Sequence, residues 1–454
     1  MHDGPIRQHD GLTRQQVQTM LIIERSGRRG VRGEYRNEFD TAPHPMDGEK
    51  VVWPVEYLYA RDHILVREEH VEQARRIVYE LARRRHHEGQ QTQPAQLPVT
   101  TPVLRGLREL ALPERVSVPD ALAAIRDGIQ PHDEGARKLE GLGPGVAAPD
   151  HVISITHGVP MGAGGTCPAT EPDPVPEGAP PDPAPTLDRY AGYGVRIVVL
   201  DTGLDLAAVN THRWLAGVTG DPDPAIGNRA PLGAYAGHGT FIAGVIRSVA
   251  PRAEVHVRAD FKVGGIILET NLVRALDEVL AKDDPDVISM SAGVWDTEAT
   301  GPLSFQVFHE TRLRHHKGVV LVTAAGNDGA RRPFWPAAAP WTVSVGALSA
   351  DWRQRAGFSN FGGWVDVYAP GEDLVNAFPT GRYDYVEPPR QGSWADFTGM
   401  ARWSGTSFAT PMVAGMIAAR MSRTGENGVD AAAALLGIAR TGARLGTGAV
   451  LLPS

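Results

Sequence analysis

The stretch Ser404-Gly405-Thr406-Ser407-Phe408-Ala409-Thr410-Pro411 joins a small polar turn to an apolar run of small residues. This pattern predicts that Ser407 lies in the first turn of a buried helix, where Pro411 is tolerated because a missing N–H matters least there. Backbone N–H groups without intrahelical partners and the positive end of the helix dipole surround such a hydroxyl, so it could act as a nucleophile. Taken alone, the stretch fits an ordinary Ser/Thr helix cap better.

Length and composition indicate a globular protein with more than one domain. The chain has 454 residues, of which 42% are hydrophobic and 22% charged, and 45 basic against 53 acidic residues give a net charge of −8. This balance gives no reason to expect a nucleic-acid partner. The single cysteine, Cys167, excludes an intramolecular disulfide. Because neither a signal-peptide core nor an apolar run of about 18 residues is found, we expect no membrane partner and a cytoplasmic location, with export by a non-standard route left open.

Changes in texture along the chain predict four segments. The second has a β-α-β, β-α-β order, which is typical of a small ferredoxin-like α+β domain. The third is rich in proline and is expected to be extended, exposed and accessible to proteases, either as a processing site or as a plain spacer. The segments are a polar N-terminal tail (residues 1–50), the α+β domain (51–156), the linker (157–188) and a larger α/β domain (189–454).

The larger domain alternates short apolar runs with helical ones. Strands that are apolar throughout are expected where both faces of a parallel sheet are covered, so this alternation predicts a doubly wound, mainly parallel α/β fold. Such folds bind ligands at the carboxyl ends of their strands. The predicted strands are 195–200, 254–259, 287–290, 319–323 and 342–345, and the predicted helices are 240–246, 271–280, 305–314 and 407–421.

Three further polar residues fall at strand ends or helix starts of this predicted fold. Asp201 ends a strand, His238 begins a helix between two glycines, and Asn327 follows a strand end. Each alone could be a cap or a turn residue. Together with Ser407 they supply the carboxylate, imidazole, hydroxyl and amide donor that a serine hydrolase uses.

The local sequences around these four residues resemble the motifs of the subtilase family, the subtilisin-like serine proteases. The chain order Asp, His, Ser is also that of subtilisin. Phe408 departs from the serine motif, in which Met is commoner at that place. The matching stretches are Asp201-Thr202-Gly203, Gly237-His238-Gly239-Thr240, Ala325-Gly326-Asn327 and Gly405-Thr406-Ser407-Phe408-Ala409-Thr410-Pro411.

The resemblance implies a serine endopeptidase with these residues in named roles. Ser407 would attack the scissile carbonyl, and His238 would take its proton and return it to the leaving amine. Asp201 would orient His238, and Asn327 with the Ser407 N–H would bind the oxyanion. Two alternatives stay open: a catalytically silent subtilase fold that acts as a binding or scaffold module, and another serine hydrolase chemistry, such as esterase or ligase activity, at the same site.

The resemblance also implies substrate-binding edges and a base for the P1 pocket. Ser291, Ala292 and Gly293 follow a predicted strand where the family builds one wall of the pocket for the substrate's P1 residue. Gly264 and Gly265 lie where the opposite edge is expected. The stretch Arg331-Arg332-Pro333-Phe334-Trp335-Pro336 lies near the expected base of the pocket. Its arginines could favour acidic P1 side chains or could equally point to solvent.

Subtilases commonly carry a ferredoxin-like propeptide, so residues 51–156 are interpreted as an N-terminal domain that inhibits its own catalytic domain, with cleavage expected between residues 157 and 187. The alternative is an unrelated partner-binding domain. The remaining partners would be protein or peptide substrates. No cofactor or metal is predicted; many subtilases bind structural Ca²⁺, but Asp221-Pro222-Asp223-Pro224 fits a solvated turn better than a Ca²⁺ site.

Overall fold

A computed structural model of the protein describes residues 24–25, 41–43, 50–52, 58–86, 97–113, 116–130, 139–155, 171–227, 231–261, 265–296, 300–385, 390 and 392–453. Most of the predicted N-terminal tail and the first part of the predicted linker therefore lie outside the described residues.

The N-terminal part forms a β-α-β-β-α-β unit, and the apolar periodicity predicts its two helices and three of its four main strands. Its first helix is amphipathic, and its second is capped by Ser117, whose hydroxyl accepts a hydrogen bond from the Asp120 N–H. The elements are β1 (Glu24–Arg25), β2 (Thr41–Pro43), β3 (Lys50–Val52), β4 (Leu58–Arg67), α1 (Val71–His86), β5 (Thr100–Leu104), β6 (Leu107–Ala111), α2 (Val118–Asp127), β7 (Gly128–Ile129), β8 (Leu139–Glu140) and β9 (Ala147–Ile155).

The main strands of this unit lie in the order β9-β4-β6-β5, with every neighbouring pair antiparallel. This is the split β-α-β arrangement of a ferredoxin-like domain. A separate apolar core, which includes Ile64, Ile77 and Ile125, fills the space between the strands and the two helices. Strand β6, which completes the arrangement, was not predicted.

The larger part of the chain follows from residue 171. Its elements are β10 (Asp173–Pro174), β11 (Arg196–Asp201), α3 (Leu206–Thr211), β12 (Thr219–Gly220), α4 (His238–Val249), β13 (Glu254–Ala259), β14 (Ile266–Leu268), α5 (Glu269–Lys282), β15 (Val287–Met290), β16 (Ala292–Gly293), α6 (Leu303–Thr311), β17 (Val320–Ala324), β18 (Val343–Leu348), β19 (Val367–Pro370), β20 (Leu374–Asp384), β21 (Trp394–Trp403), α7 (Thr406–Thr424) and α8 (Gly428–Thr441). Short 3₁₀ turns lie at Glu68–His70, Arg213–Leu215 and Leu313–His315.

Seven strands form the central sheet in the order β12-β13-β11-β15-β17-β18-β19, and all neighbouring pairs are parallel. The strand order reverses between β11 and β15, so their carboxyl ends flank the switch point at which such sheets bind ligands. Strands β15, β17 and β18 are buried along their whole length. The predicted doubly wound, mainly parallel α/β fold is confirmed; helix α8 and the hairpin of β20 and β21 were not predicted.

The second part of the Pro-rich linker is bound to the larger α/β part of the chain. Strand β10 pairs with β21, and Asp182 pairs with Val375. Glu171, only 3% exposed, accepts a hydrogen bond of 3.0 Å from the Tyr383 hydroxyl. The prediction of an exposed linker is wrong for residues 171 and 172, which are buried against the hairpin, whereas most of residues 173–182 are exposed. This part of the linker is therefore held to the hairpin at a few points without being buried.

Candidate active site

Asp201 and His238 meet at the carboxyl edge of the central sheet. Asp201 is the last residue of β11 and His238 the first residue of α4, and both are buried. The Oδ1 atom of Asp201 lies 2.8 Å from Nδ1 of His238 and also accepts the Thr202 N–H at 2.8 Å. A carboxylate held in this way assigns the proton of the neutral imidazole to Nδ1 and leaves Nε2 as the basic nitrogen.

Asp223 braces the segments that carry these two residues. Its Oδ2 accepts the Gly237 N–H at 2.8 Å and the Thr202 hydroxyl at 3.2 Å, and its Oδ1 accepts the Ala225 N–H at 2.8 Å. Burial raises the pKa of the Asp223 carboxyl to about 6, against the lowering effect of these hydrogen bonds. Asp223 is therefore buried among protein donors; the expectation that this turn is solvated is wrong for Asp223, which is 4% exposed.

Ser407 lies in the first turn of α7, as the sequence predicts, and is 2% exposed. Helix α7 packs against α4, and the ring of the next residue, Phe408, lies 5.2 Å from the His238 ring between centroids. The Ser291 hydroxyl donates a 2.9 Å hydrogen bond to the Ser407 carbonyl. The nucleophile candidate and the basic imidazole are thus carried on two helices that are packed together at one edge of the sheet.

Asn327 is oriented by the residue that precedes Ser407. Its Oδ1 accepts the Thr406 N–H at 2.8 Å and the Thr406 hydroxyl at 2.9 Å. Because both donors contact the amide oxygen, the orientation of the Asn327 amide is fixed, with its NH₂ group on the side away from Thr406. The Thr406 hydroxyl in turn accepts the Gly326 N–H at 3.1 Å. The loop after β17 is therefore fastened to the start of the serine helix.

Two candidate substrate-binding edges are already paired with a strand of the N-terminal domain. Strand β9 lies antiparallel to β16, with Ile155 opposite Ala292 and Ser154 opposite Gly293. On its other side, β9 lies antiparallel to β14, and the Ile155 N–H donates to the Gly265 carbonyl at 2.8 Å. Gly264 lies outside the described residues. An extended segment of the same chain thus occupies the groove between the two edges.

Phe334 packs between Gly293, in the predicted wall of the P1 pocket, and Gly326, next to Asn327. An added Cβ at Gly293 would lie 2.3 Å from its Cε1 atom, and one at Gly326 would lie 3.2 Å from its Cδ1 atom, so the ring presses on both glycines. Arg332 does not point its charge into this space: its guanidinium lies 5.1 Å from the centroid of the Trp295 ring and donates to the Asp296 carbonyl. An aromatic ring therefore lies between these two glycines, while the Arg332 guanidinium is directed to Trp295 and Asp296.

A comparison with known protein families identifies the chain. The family model described as the subtilase family, peptidase S8, matches residues 192–437. This is more than half of the chain. The protein belongs to the subtilase family. The match covers the whole central sheet and all four of the residues discussed above.

Serine proteases from other organisms align with about half of this chain. It is 31% identical over 261 residues to a thermophilic serine proteinase of Bacillus sp. (strain AK1), a match that covers 52% of this chain and 54% of that protein. It is 30% identical over 260 residues to an intracellular serine protease of Paenibacillus polymyxa, which covers 54% and 72% respectively. The solved structure of a cold-adapted subtilisin-like serine proteinase aligns with 25% identity and a TM-score of 0.44, over 58% of this chain and 90% of that one.

Neither a metal cluster nor a membrane-spanning helix is found in the described part of the chain. Within the ranges given above, no three or more His, Cys, Asp or Glu residues gather in a way that could hold a metal ion. None of the helices among these residues combines the length and the apolar character needed to span a bilayer.

Sequence reasoning missed the residues that hold the subtilase site in shape. Thr406 and Asp223 were quoted only as parts of motifs, although each joins two loops of the site through buried hydrogen bonds. Asn360 was missed in the same way: its amide donates to the Ala325 carbonyl at 2.9 Å and accepts the Asp328 N–H at 3.0 Å. These residues and their hydrogen-bond partners are distant in sequence. The only signal that could have indicated their role is a small polar residue in apolar surroundings.

Removing the Thr406 hydroxyl should lower the turnover number. We expect Thr406→Val to lower kcat about tenfold with little change in KM, because the Asn327 amide loses one of two hydrogen bonds that orient it while the donor itself remains. Thr406→Ser, which keeps the hydroxyl, is the matched control and should retain most of the activity. Steady-state kinetics on one peptide substrate measure both; equal kcat for wild type and Thr406→Val would contradict the role given to Thr406.

Proposed function

We propose that the protein is a serine endopeptidase that uses Ser407, His238, Asp201 and Asn327. The observation that carries the proposal is the buried 2.8 Å hydrogen bond between His238 Nδ1 and Asp201 Oδ1, beside the helix whose first turn carries Ser407. Nε2 of His238 takes the Ser407 proton during attack on the scissile carbonyl and returns it to the leaving amine. The Asp201 carboxylate stabilises the imidazolium that forms in between.

Charge on the tetrahedral intermediate is met by donors that are already in place. The Asn327 amide, held by Thr406, and the Ser407 N–H at the start of α7 both face developing negative charge, and the helix dipole adds to their effect. Because the donors are fixed before reaction, they need no reorganisation when the charge appears.

A catalytically silent scaffold fits less well with these contacts. A binding module does not require a buried His–Asp hydrogen bond beside a groove, with the imidazole packed against Trp403 and Phe408. Esterase or ligase activity would use the same four groups, and substrate assays distinguish it. The groove between β14 and β16, which pairs with an extended strand through backbone hydrogen bonds, favours a peptide substrate.

We infer further that the N-terminal domain inhibits the site within the same chain. Strand β9 fills the groove, and Ile153 and Ile155 are buried in the same apolar core as the catalytic domain. Away from the groove, the Arg67 guanidinium pairs with the Glu310 carboxylate at 2.7 and 3.2 Å. A substrate cannot pair with both edges while β9 is there, so activity requires that this strand leave.

The docked linker narrows the predicted cleavage site. Strand β9 ends at Ile155 in the groove, and residues 171–182 are bound to the hairpin of β20 and β21. We therefore expect cleavage between residues 156 and 170. The segment from residue 171 onward would then stay with the catalytic domain. The cytoplasmic location remains a prediction from the sequence, as does the substrate class, proteins or peptides.

Self-processing tests the proposed function. Purified wild-type protein should convert to two fragments whose junction lies between residues 156 and 170, because the chain presents its own linker to the site. The Ser407→Ala chain should remain intact, since it lacks the nucleophile. Gel electrophoresis with intact-mass measurement over time follows both. The matched control is Ser422→Ala on the same helix, where the hydroxyl bonds only to the backbone of Ala419 and Gly192.

Two results would contradict this proposal. Cleavage of the Ser407→Ala chain at the wild-type rate would mean that another group performs the reaction or that a contaminating protease is at work. A folded wild-type chain that neither processes itself nor hydrolyses added peptides would argue for the silent scaffold.

The ring of Phe334 leads us to propose a shallow P1 pocket that prefers small side chains. Phe334→Ala should therefore raise the ratio of kcat/KM for a Phe P1 peptide to that for an Ala P1 peptide by about tenfold, since a few buried methylene equivalents carry that much discrimination. The ratio within one enzyme is independent of how much protein is active. An unchanged ratio would show that Phe334 does not line the pocket.

A further inference from the structure

A buried histidine of β9 lies between two carboxylates of the catalytic domain. His151 is fully buried, and its Nδ1 atom lies 2.6 Å from Oε2 of Glu269, the first residue of α5. Its Nε2 atom lies 3.7 Å from Oδ1 of Asp296, which is also buried. The same Glu269 oxygen accepts the His151 backbone N–H at 3.2 Å.

The charges at this place favour a cation. Burial alone would lower the pKa of His151, but attraction by Glu269, the hydrogen bond to it, and the nearby Asp296 and Asp150 raise that pKa above its ordinary value. The Glu269 carboxylate is itself held, since its Oε1 accepts the Ser304 N–H at 2.9 Å. Two buried carboxylates therefore lie beside the His151 ring and favour its protonated form.

The position of His151 on β9 connects these carboxylates with the groove. Side chains at residues 151, 153 and 155 point to the same face of the strand, and all three are buried. Residues 152–154 pair with β14, and residues 154 and 155 pair with β16. An extended substrate in the same register places its own side chain, four residues before the one at the Ile155 position, between Glu269 and Asp296.

We propose that Glu269 and Asp296 form a substrate subsite that selects a basic side chain four residues before the position occupied by Ile155. This inference rests on the proposed endopeptidase function and names the class of substrate: extended polypeptide segments with Lys, Arg or protonated His at that position, followed by apolar residues two and four positions later. In the uncleaved chain, His151 fills the subsite.

The test uses the full-length protein after self-processing, with active sites counted by titration. The parent peptide copies residues 148–171, and three variants of it carry His151→Lys, His151→Ala or His151→Glu. A fifth peptide combines His151→Ala with Ser154→Lys. Chromatography of the products gives kcat/KM for each peptide.

A basic side chain at the subsite should speed cleavage. We expect the His151→Lys peptide to exceed the His151→Ala peptide in kcat/KM by about tenfold or more, since a desolvated ion pair of this kind has a coupling of that size. The His151→Glu peptide should fall below both, because its carboxylate would face two others.

Variants of the enzyme locate the effect. Glu269→Gln and Asp296→Asn, made separately so that loss of folding in one leaves the other, should each reduce the kcat/KM ratio of the His151→Lys peptide to the His151→Glu peptide by about tenfold. Glu278→Gln is the matched control, because Glu278 lies on the same helix, half-exposed, near Arg258 and Lys282. It should keep the wild-type ratio.

The outcomes separate the two proposals. Equal cleavage of the four peptides that differ only at position 151 would overturn the subsite and leave the endopeptidase function intact. An equal gain from the lysine at position 154 would also overturn it, since general attraction by the acidic chain would then explain the result. Cleavage of none of the peptides would contradict the endopeptidase function itself.

Discussion

The hydrogen bond between His238 and Asp201 is the contact on which the rest of the site depends. It exists because a parallel sheet brings the carboxyl end of β11 beside the start of α4, and because Asp223 ties the loops behind both residues together. Burial excludes water that would weaken this hydrogen bond. Because the bond holds the imidazole proton on Nδ1, Nε2 of His238 is left as the basic nitrogen. Thr406 joins the start of α7, which carries Ser407, to the loop that carries Asn327. The proposed nucleophile and the proposed oxyanion donor are therefore held by the same residue.

The N-terminal domain is joined to the larger α/β domain at the candidate substrate-binding groove. Its last strand pairs with both edges of the groove, and its dipeptide Asp150-His151 meets Glu269-Thr270 at the start of α5. There the Asp150 carboxylate accepts the Thr270 N–H at 3.0 Å and its hydroxyl at 2.8 Å. The same Asp150 carboxylate lies 2.8 Å from Nε2 of His63 in the N-terminal domain. Burial opposes the charged form of His63, but the hydrogen bond to Asp150 and its negative charge raise the pKa of His63 to about 9. Strand β9 thus both holds the two domains together and occupies the candidate substrate-binding groove.

The sequence predicted the central sheet well because buried parallel strands are apolar throughout, and the bounds of β13 and β15 agree with the predicted strands to the residue. The candidate residues at strand ends followed from the same pattern and from short motifs.

What could not be predicted depends on contacts between distant parts of the chain. Residues 171–182 looked like free linker because their composition is Pro-rich, yet they dock on β20 and β21, a hairpin whose mixed pattern gave no strand signal. Likewise, no sequence pattern around Glu269 or around His151 predicts that the two side chains are in contact.

Mapping a covalent adduct tests the central claim most directly. Wild-type protein treated with a serine-directed fluorophosphonate, digested and analysed by tandem mass spectrometry should carry one adduct, at Ser407, because that hydroxyl is carried beside the His238–Asp201 pair with oxyanion donors in place. The Asp201→Asn variant should react far more slowly, since its imidazole is no longer held in the basic form. An adduct on a different serine, or none on a folded and self-processed protein, would contradict the account.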